Sequence, residues 1–230
     1  MLFVQQHITK KQQDFKNHSF FHKLKEQDDF VKTMNFASKL AFWVMAFQDI
    51  LRLIPPRIQT KELRRIATHH KMEDAGHHLW FLEDMGLLEK DKNYTVAWLF
   101  SKENAPVRDF AYHVMSEALT LPKDHLKITL ILILESTGHI FFEHMAAFAK
   151  LKGYDSNLKY FSSSHLEVER NHAVFEERLM NALFGIKLSD KDRLEATDLV
   201  ERVYDGFHGL FTELHAHLLE IEEDKRKLVA

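Results

Sequence analysis

The chain has 230 residues and a formal net charge of −3, with 16 histidines, 19 phenylalanines and no cysteine. That length can bury one substantial core, so a single domain over 1–230 is expected. The charge gives no reason to expect nucleic acid or a membrane as partner, and the missing cysteine excludes disulfides, thiolate-bound zinc, iron–sulfur clusters and a thiol nucleophile.

The start, residues 1 to about 27, is polar with mixed charge and lacks the apolar stretch of a signal peptide. It reads as a short helix or a loosely packed arm, and a cytoplasmic protein is expected. From about Asp28 to Leu53, apolar residues recur every three or four positions, which predicts one long helix. Ile54-Pro55-Pro56 stops it, because a residue before proline is pushed out of the α region.

A second helix is predicted from about Thr60, a candidate cap, to Met85, with Gly86 ending it and Gly76 inside it. Short helical signals follow at Asn93–Phe100 and from about Ala105 to Leu121. Lys123–Lys152 is predicted as the central helix, because Ile128–Leu134 is apolar on every side. That aliphatic run is too short to span a bilayer. Asp155 and Ser156 are candidate caps for a helix reaching about Leu183. Ser189 and Asp190 cap the last, whose apolar stripe runs from Leu194 through Leu199, Val203, Phe207, Leu210, Phe211 and Leu214 to Leu218. No stretch alternates with period two. The fold class is therefore all-α, a bundle of about seven helices.

Two stretches share the form His-x3-acid-x2-His: His165, Glu169 and His172, and upstream His70, Asp74 and His77. At about 100° per residue, positions i, i+4 and i+7 of a helix share one face. Between them lies Glu135, directly after Ile-Leu-Ile-Leu, where an ionised carboxylate is costly unless it is paired or metal-bound. Three acids (Asp74, Glu135, Glu169) and three histidines (His77, His165, His172) form a full ligand set for two iron or manganese ions in a helical bundle. His70, Glu73, His139 and Glu143 are the reserve, as alternative ligands or as neighbours that orient them. Glu73 lies about 100° from the stripe that carries Asp74.

These motifs resemble the haem-oxygenase-like di-iron oxidases, relatives of thiaminase II and pyrroloquinoline-quinone synthase. The resemblance spans about residues 30 to 220 as an order of helices and motifs. It implies a seven-helix bundle with the metals at its centre, and O2-dependent oxidation of amines, amino acids or fatty acids. Glu135, His165, Glu169 and His172 would be ligands there, with an acid and a histidine from the earlier helix. The chain departs from the pattern in Glu169, where the family often has Asp, and in Asp74, where it usually has Glu. Thiaminase chemistry needs a cysteine that is absent.

The leading expectation is thus a metal-dependent oxidase or oxygenase of a small organic substrate, using O2. One alternative is a cofactor-free enzyme of the same fold, with the histidines binding substrate and moving protons. Another is a non-catalytic helical protein that binds haem, an apolar ligand or a partner; His18 or His22 could be offered as the one proximal histidine of a true haem oxygenase, but that leaves the 70–77 and 165–172 triplets unexplained. A homodimer is also compatible with the aromatic-rich helices.

Overall fold

A computed structural model gives the architecture, described over residues 1–88, 95–168, 183 and 185–229, with side chains as far as residue 220. Among the described residues all regular structure is helical. The α-helices are α1 (Leu2–Lys16), α2 (Ser19–Glu26), α3 (Phe30–Thr33), α4 (Ala41–Leu53), α5 (Lys61–Glu73), α6 (His77–Leu88), α7 (Val96–Leu99), α8 (Ala105–Thr120), α9 (Asp124–Leu151) and α10 (Asp190–Val229). A further helical stretch covers 163–168.

The central helix is α9, as its composition predicts. Residues Leu126 to Leu134 are all buried, and α1, α2, α5, α8 and α10 pack around it. By length and composition α9 is apolar enough to cross a membrane, but these neighbours cover most of it. The stripe of α10 closes the opposite wall, with Leu199, Val203, Phe207, Leu210, Phe211, Leu214 and Leu218 buried. Leu194, assigned to that stripe, is exposed, and Ala196 takes the buried place.

The N-terminal segment is not a loose arm. Val4, Ile8 and Phe15 of α1, and Phe20, Phe21 and Leu24 of α2, are essentially inaccessible. The Phe15 ring meets Phe21 edge-on at 5.4 Å and Phe211 at 4.8 Å. A polar sequence with six well-spaced apolar residues is enough to dock two helices, because burial of each such side chain is worth about 1.5–3 kcal/mol.

Two predicted long helices are broken. Between α3 and α4, residues Met34–Leu40 wind as a 3-10 helix. There Ser38 Oγ donates to Asn35 O (2.8 Å), the local side-chain bonding through which Ser and Asn compete with regular helix. The second break matters more. Gly76 has φ +97°, so α5 ends at Glu73 and α6 starts afresh at His77. Gly86, assigned as the terminator, lies inside α6.

The segment after α9 also differs from the prediction. Gly153 ends α9 with φ +77°. Asp155 then caps later than predicted: its Oδ1 accepts from Ser163 N (2.6 Å), at the start of the 163–168 helix, and not from a helix beginning at 156.

One contact sets the height of two helices. The Asp124 carboxylate, in the first turn of α9, accepts from Gln59 N (3.0 Å), Thr60 N (2.7 Å) and Thr60 Oγ1 (2.8 Å). Burial alone would raise the Asp124 pKa; the Thr60 and Gln59 donors outweigh it and hold the carboxyl below its ordinary range. The starts of α5 and α9 are thereby pinned together. His70 lies ten residues beyond Thr60 and Glu135 eleven beyond Asp124. At 1.5 Å per residue these are climbs of ~15 Å and ~16 Å, so the two side chains arrive at one level.

The two glycines give opposite expectations. Gly76→Ala forces a side chain into the left-handed region and should lower stability by about 1 kcal/mol. Gly86→Ala places a Cβ in open space within a helix and should raise stability by about 0.5–1 kcal/mol. Urea denaturation of both variants checks the signs.

Buried imidazoles should make the fold acid-sensitive. Burial pushes His144, stacked on Phe21 at 4.3 Å, down to about 4. It does the same to His18, the cap of α2, helped by the nearby His208. Between the ordinary pKa of 6.5 and about 4 the unfolded chain binds the extra protons. Stability is then complete above pH 6.5 and falls as pH drops through this window. His144→Phe should flatten that fall, read as the urea midpoint against pH; an unchanged slope would rule His144 out as a source.

Candidate metal centre

Four helix segments deliver a compact group of donors. Near the end of α5, His70 is 7 % exposed, and Asp74 follows at the C-cap, 4 % exposed. His77 opens α6. Glu135 comes from the middle of α9, and His165 from the 163–168 helix, 1 % exposed.

His70 Nε2 lies 3.3 Å from Asp74 Oδ2 and 3.2 Å from Glu135 Oε1. The donor atoms of these three residues all lie within 4.8 Å of one another. On the other side, Asp74 Oδ1 is 3.4 Å from His77 Nδ1, which is 3.2 Å from His165 Nε2. Asp74 thus stands between two imidazoles, offering one oxygen to each.

The group could hold a cation. His70 Nε2 and Asp74 Oδ2 are buried, yet their contact lacks hydrogen-bond geometry and neither makes a hydrogen bond among the described residues. Buried polar atoms are normally satisfied, and leaving one unsatisfied costs about 1–3 kcal/mol. Two such atoms converging with a second carboxylate form a mixed N/O donor set suited to iron, manganese or zinc. His165 is oriented to match. Its Nδ1 lies 2.7 Å from Tyr160 O, and since a carbonyl only accepts, Nδ1 carries the proton and Nε2 presents its lone pair to the group.

A buried carboxylate on α6 supports that orientation. Asp84, fully buried, accepts from Lys159 N (2.8 Å) and Phe161 N (3.0 Å). Burial pushes the Asp84 carboxyl up, opposed by these backbone donors. The loop that presents Tyr160 O to His165 is therefore fastened to α6, the helix that carries His77. Aromatic rings wall the same side. Trp80 stacks on His77 at 4.6 Å, and Phe142 lies 4.2 Å from His165.

The predicted residues divide as follows. Asp74, His77, Glu135 and His165 meet. His70, held in reserve, belongs to the tightest triad. Glu73 is turned away, 2.9 Å from His69 Nδ1, which leaves Asp74 as the carboxylate of this stretch. Glu143 is engaged elsewhere, in an ion pair with Lys16 of α1 at 3.0 Å. His139 lines the adjoining cavity but stands outside the triad. Glu169 and His172 lie outside the described residues. His18, a candidate haem ligand, caps α2: its Nδ1 accepts from Phe20 N.

Asp84 and Tyr160 were not foreseen. A signal for Asp84 existed, since it occupies the buried stripe of α6 between Phe81 and Met85. Tyr160 acts through its backbone, which no side-chain pattern reveals.

An apolar cavity of about 80 Å3 opens beside the group, reaching Asp74, His77 and Glu135. Trp43, Phe47, Phe141 and Phe207 form much of its wall. No family model matches the chain, and no curated protein matches it.

Asp84→Ala should leave the amides of Lys159 and Phe161 without acceptors. We expect a loss of about 1–3 kcal/mol in stability and metal binding weakened about 10- to 100-fold through the misplaced His165. Asp84→Asn keeps one acceptor oxygen and should fall between. Urea melts and Co(II) titration read the two effects separately.

Proposed function

We propose that this chain is a non-haem di-metal oxidase or oxygenase that uses O2 on a small organic substrate held in the apolar cavity, with iron as the first choice of metal and manganese as the second. The observation that carries the reading is Asp74, whose two oxygens face His70 and His77 separately. A carboxylate so placed can join two cations, one on the His70–Glu135 side and one on the His77–His165 side. The resemblance to haem-oxygenase-like di-iron oxidases supports the same reading, with His70 added to the ligand set it implied.

Bound there, a pair of redox-active ions would supply the O2 chemistry that protein side chains lack. The chain's own residues have separate tasks. His70, Asp74, Glu135, His77 and His165 would hold the ions, with Glu169 and His172 as the further ligands that the resemblance implies. Tyr160 O fixes the proton of His165 on Nδ1. Trp80 and Phe142 keep water from the two imidazoles. The aromatic wall accepts the body of a substrate and aims it at the metal-binding edge.

Anaerobic Fe(II) titration of the chelator-treated chain tests this, and about two irons per chain should bind, as expected for a bridged carboxylate site. His70→Ala and Asp74→Ala should each abolish the bridged pair. Glu73→Ala and Glu143→Ala should bind like the parent. Full substrate turnover in metal-free protein would replace this reading with the cofactor-free enzyme, in which the histidines act on substrate directly.

A further inference from the structure

A second depression, of about 330 Å3, lies on the surface between α8 and α10. Asp109, His113 and Glu213 stand around it, and Phe110, Gly206 and Leu210 form part of its lining. Leu210 lines the central cavity as well. The Phe110 ring touches two residues of that cavity, Phe207 at 4.7 Å and Trp43 at 4.8 Å. Leu210 is therefore shared by groove and cavity, and beside it Phe110 backs the Phe207 and Trp43 rings of the cavity wall.

That layer rests against bare backbone. A Cβ at Gly206 would lie 2.7 Å from the Phe110 ring, so only glycine lets the ring sit where it does. At Gly209 a Cβ meets nothing within 4 Å, so the groove is open there.

Charge selects what passes. The groove carries Asp109 and Glu213, and the cavity carries Asp74 and Glu135. Neither is lined by Lys or Arg among the described residues. An acidic mouth and an aromatic bore favour an apolar molecule with a cationic end and disfavour a carboxylate of the same length; Asp74 and Glu135, which would hold the ions, add nothing to this preference once metal is bound.

We infer that the α8–α10 groove is the entrance to the central cavity, gated by Phe110 and Leu210, and that it admits an apolar amine. This rests on the cavity being the substrate site of the proposed reaction. Because binding is read without turnover, the two readings can fail separately. Absent metal uptake with intact amine binding removes only the oxidase; absent amine binding with intact metal uptake removes only the entrance.

The test uses the full chain with n-octylamine and octanoate as probes, and stopped-flow fluorescence as readout. The signal is assigned to Trp43 by its loss in Trp43→Phe. Octylamine should bind about tenfold tighter than octanoate at low salt, an advantage that shrinks as salt rises. Gly209→Phe, which plugs the groove, should slow binding and release alike by about tenfold and leave Kd within about threefold, since a gate changes rates and not the equilibrium. Phe110→Ala should speed both rates, and it carries the test if the plugged variant does not fold. Octanoate binding as well as octylamine overturns the assigned class. Parental rates in Gly209→Phe or in Phe110→Ala overturn the route, and no response to either probe overturns both.

Discussion

Everything at the centre of this molecule depends on where α5 stands against α9, and Asp124 decides it. A carboxylate that takes three donors from Gln59 and Thr60 leaves α5 little freedom to slide. A slip of one residue would shift His70 by ~1.5 Å and turn it by ~100° away from Glu135. The same carboxylate satisfies amides at the start of α5, where Thr60 makes no side-chain cap of its own. Stability of the helix end and alignment of the site are thus one interaction.

The second constraint is the cost of the group itself. Two carboxylates and three imidazoles share a region otherwise filled by Phe, Trp, Leu and Ile. Charges in such surroundings must be paired or bound to a cation. The structure pairs most of them with one another but leaves His70 Nε2 and Asp74 Oδ2 unsatisfied. Local rules of satisfaction fail where function is expected to require it. The surrounding framework compensates. The α1–α2 docking against α9 and α10, Tyr204 hydrogen-bonded to Ser136 at 2.6 Å, and the Asp84 fastening all fix helices near Glu135 without touching the triad.

Much of this was legible in the sequence because it broke a pattern. Glu135 announced itself as an acid within an aliphatic run, and α9 as a helix apolar on every side. The all-α class followed from periodicity alone. What periodicity could not show was the break at Gly76. Read as one helix, residues 60–85 placed His70, Asp74 and His77 on a common stripe. In the structure Asp74 and His77 join the group through that turn, while His70, still on α5 and expected only as a ligand in reserve, lies 3.2 Å from Glu135. Glu143 and Glu73 had the right chemistry and spacing, but Lys16 and His69 claim them, one from a distant helix and one from a neighbouring turn. Pairings of this kind depend on tertiary neighbours, as does the packing of α1, whose sparse apolar residues gave no hint of how deeply they are buried.

The break at Gly76 has an electrostatic consequence beyond rerouting the chain. Ending α5 at Glu73 places a helix C-terminus, with its partial negative charge, directly beneath His70 and Asp74. An uninterrupted helix would have carried that end about three turns farther along, past Met85. On the His70 side the backbone dipoles of α5 thus add to the carboxylates in drawing a cation, by about 0.3–1 kcal/mol, while the start of α6 at His77 presents the opposite sign on the other side. Gln48 Nε2 already donates to Asp74 O at 3.2 Å, taking up one of the carbonyls the break exposes. A single residue without a side chain thereby makes the peptide backbone part of the site's field.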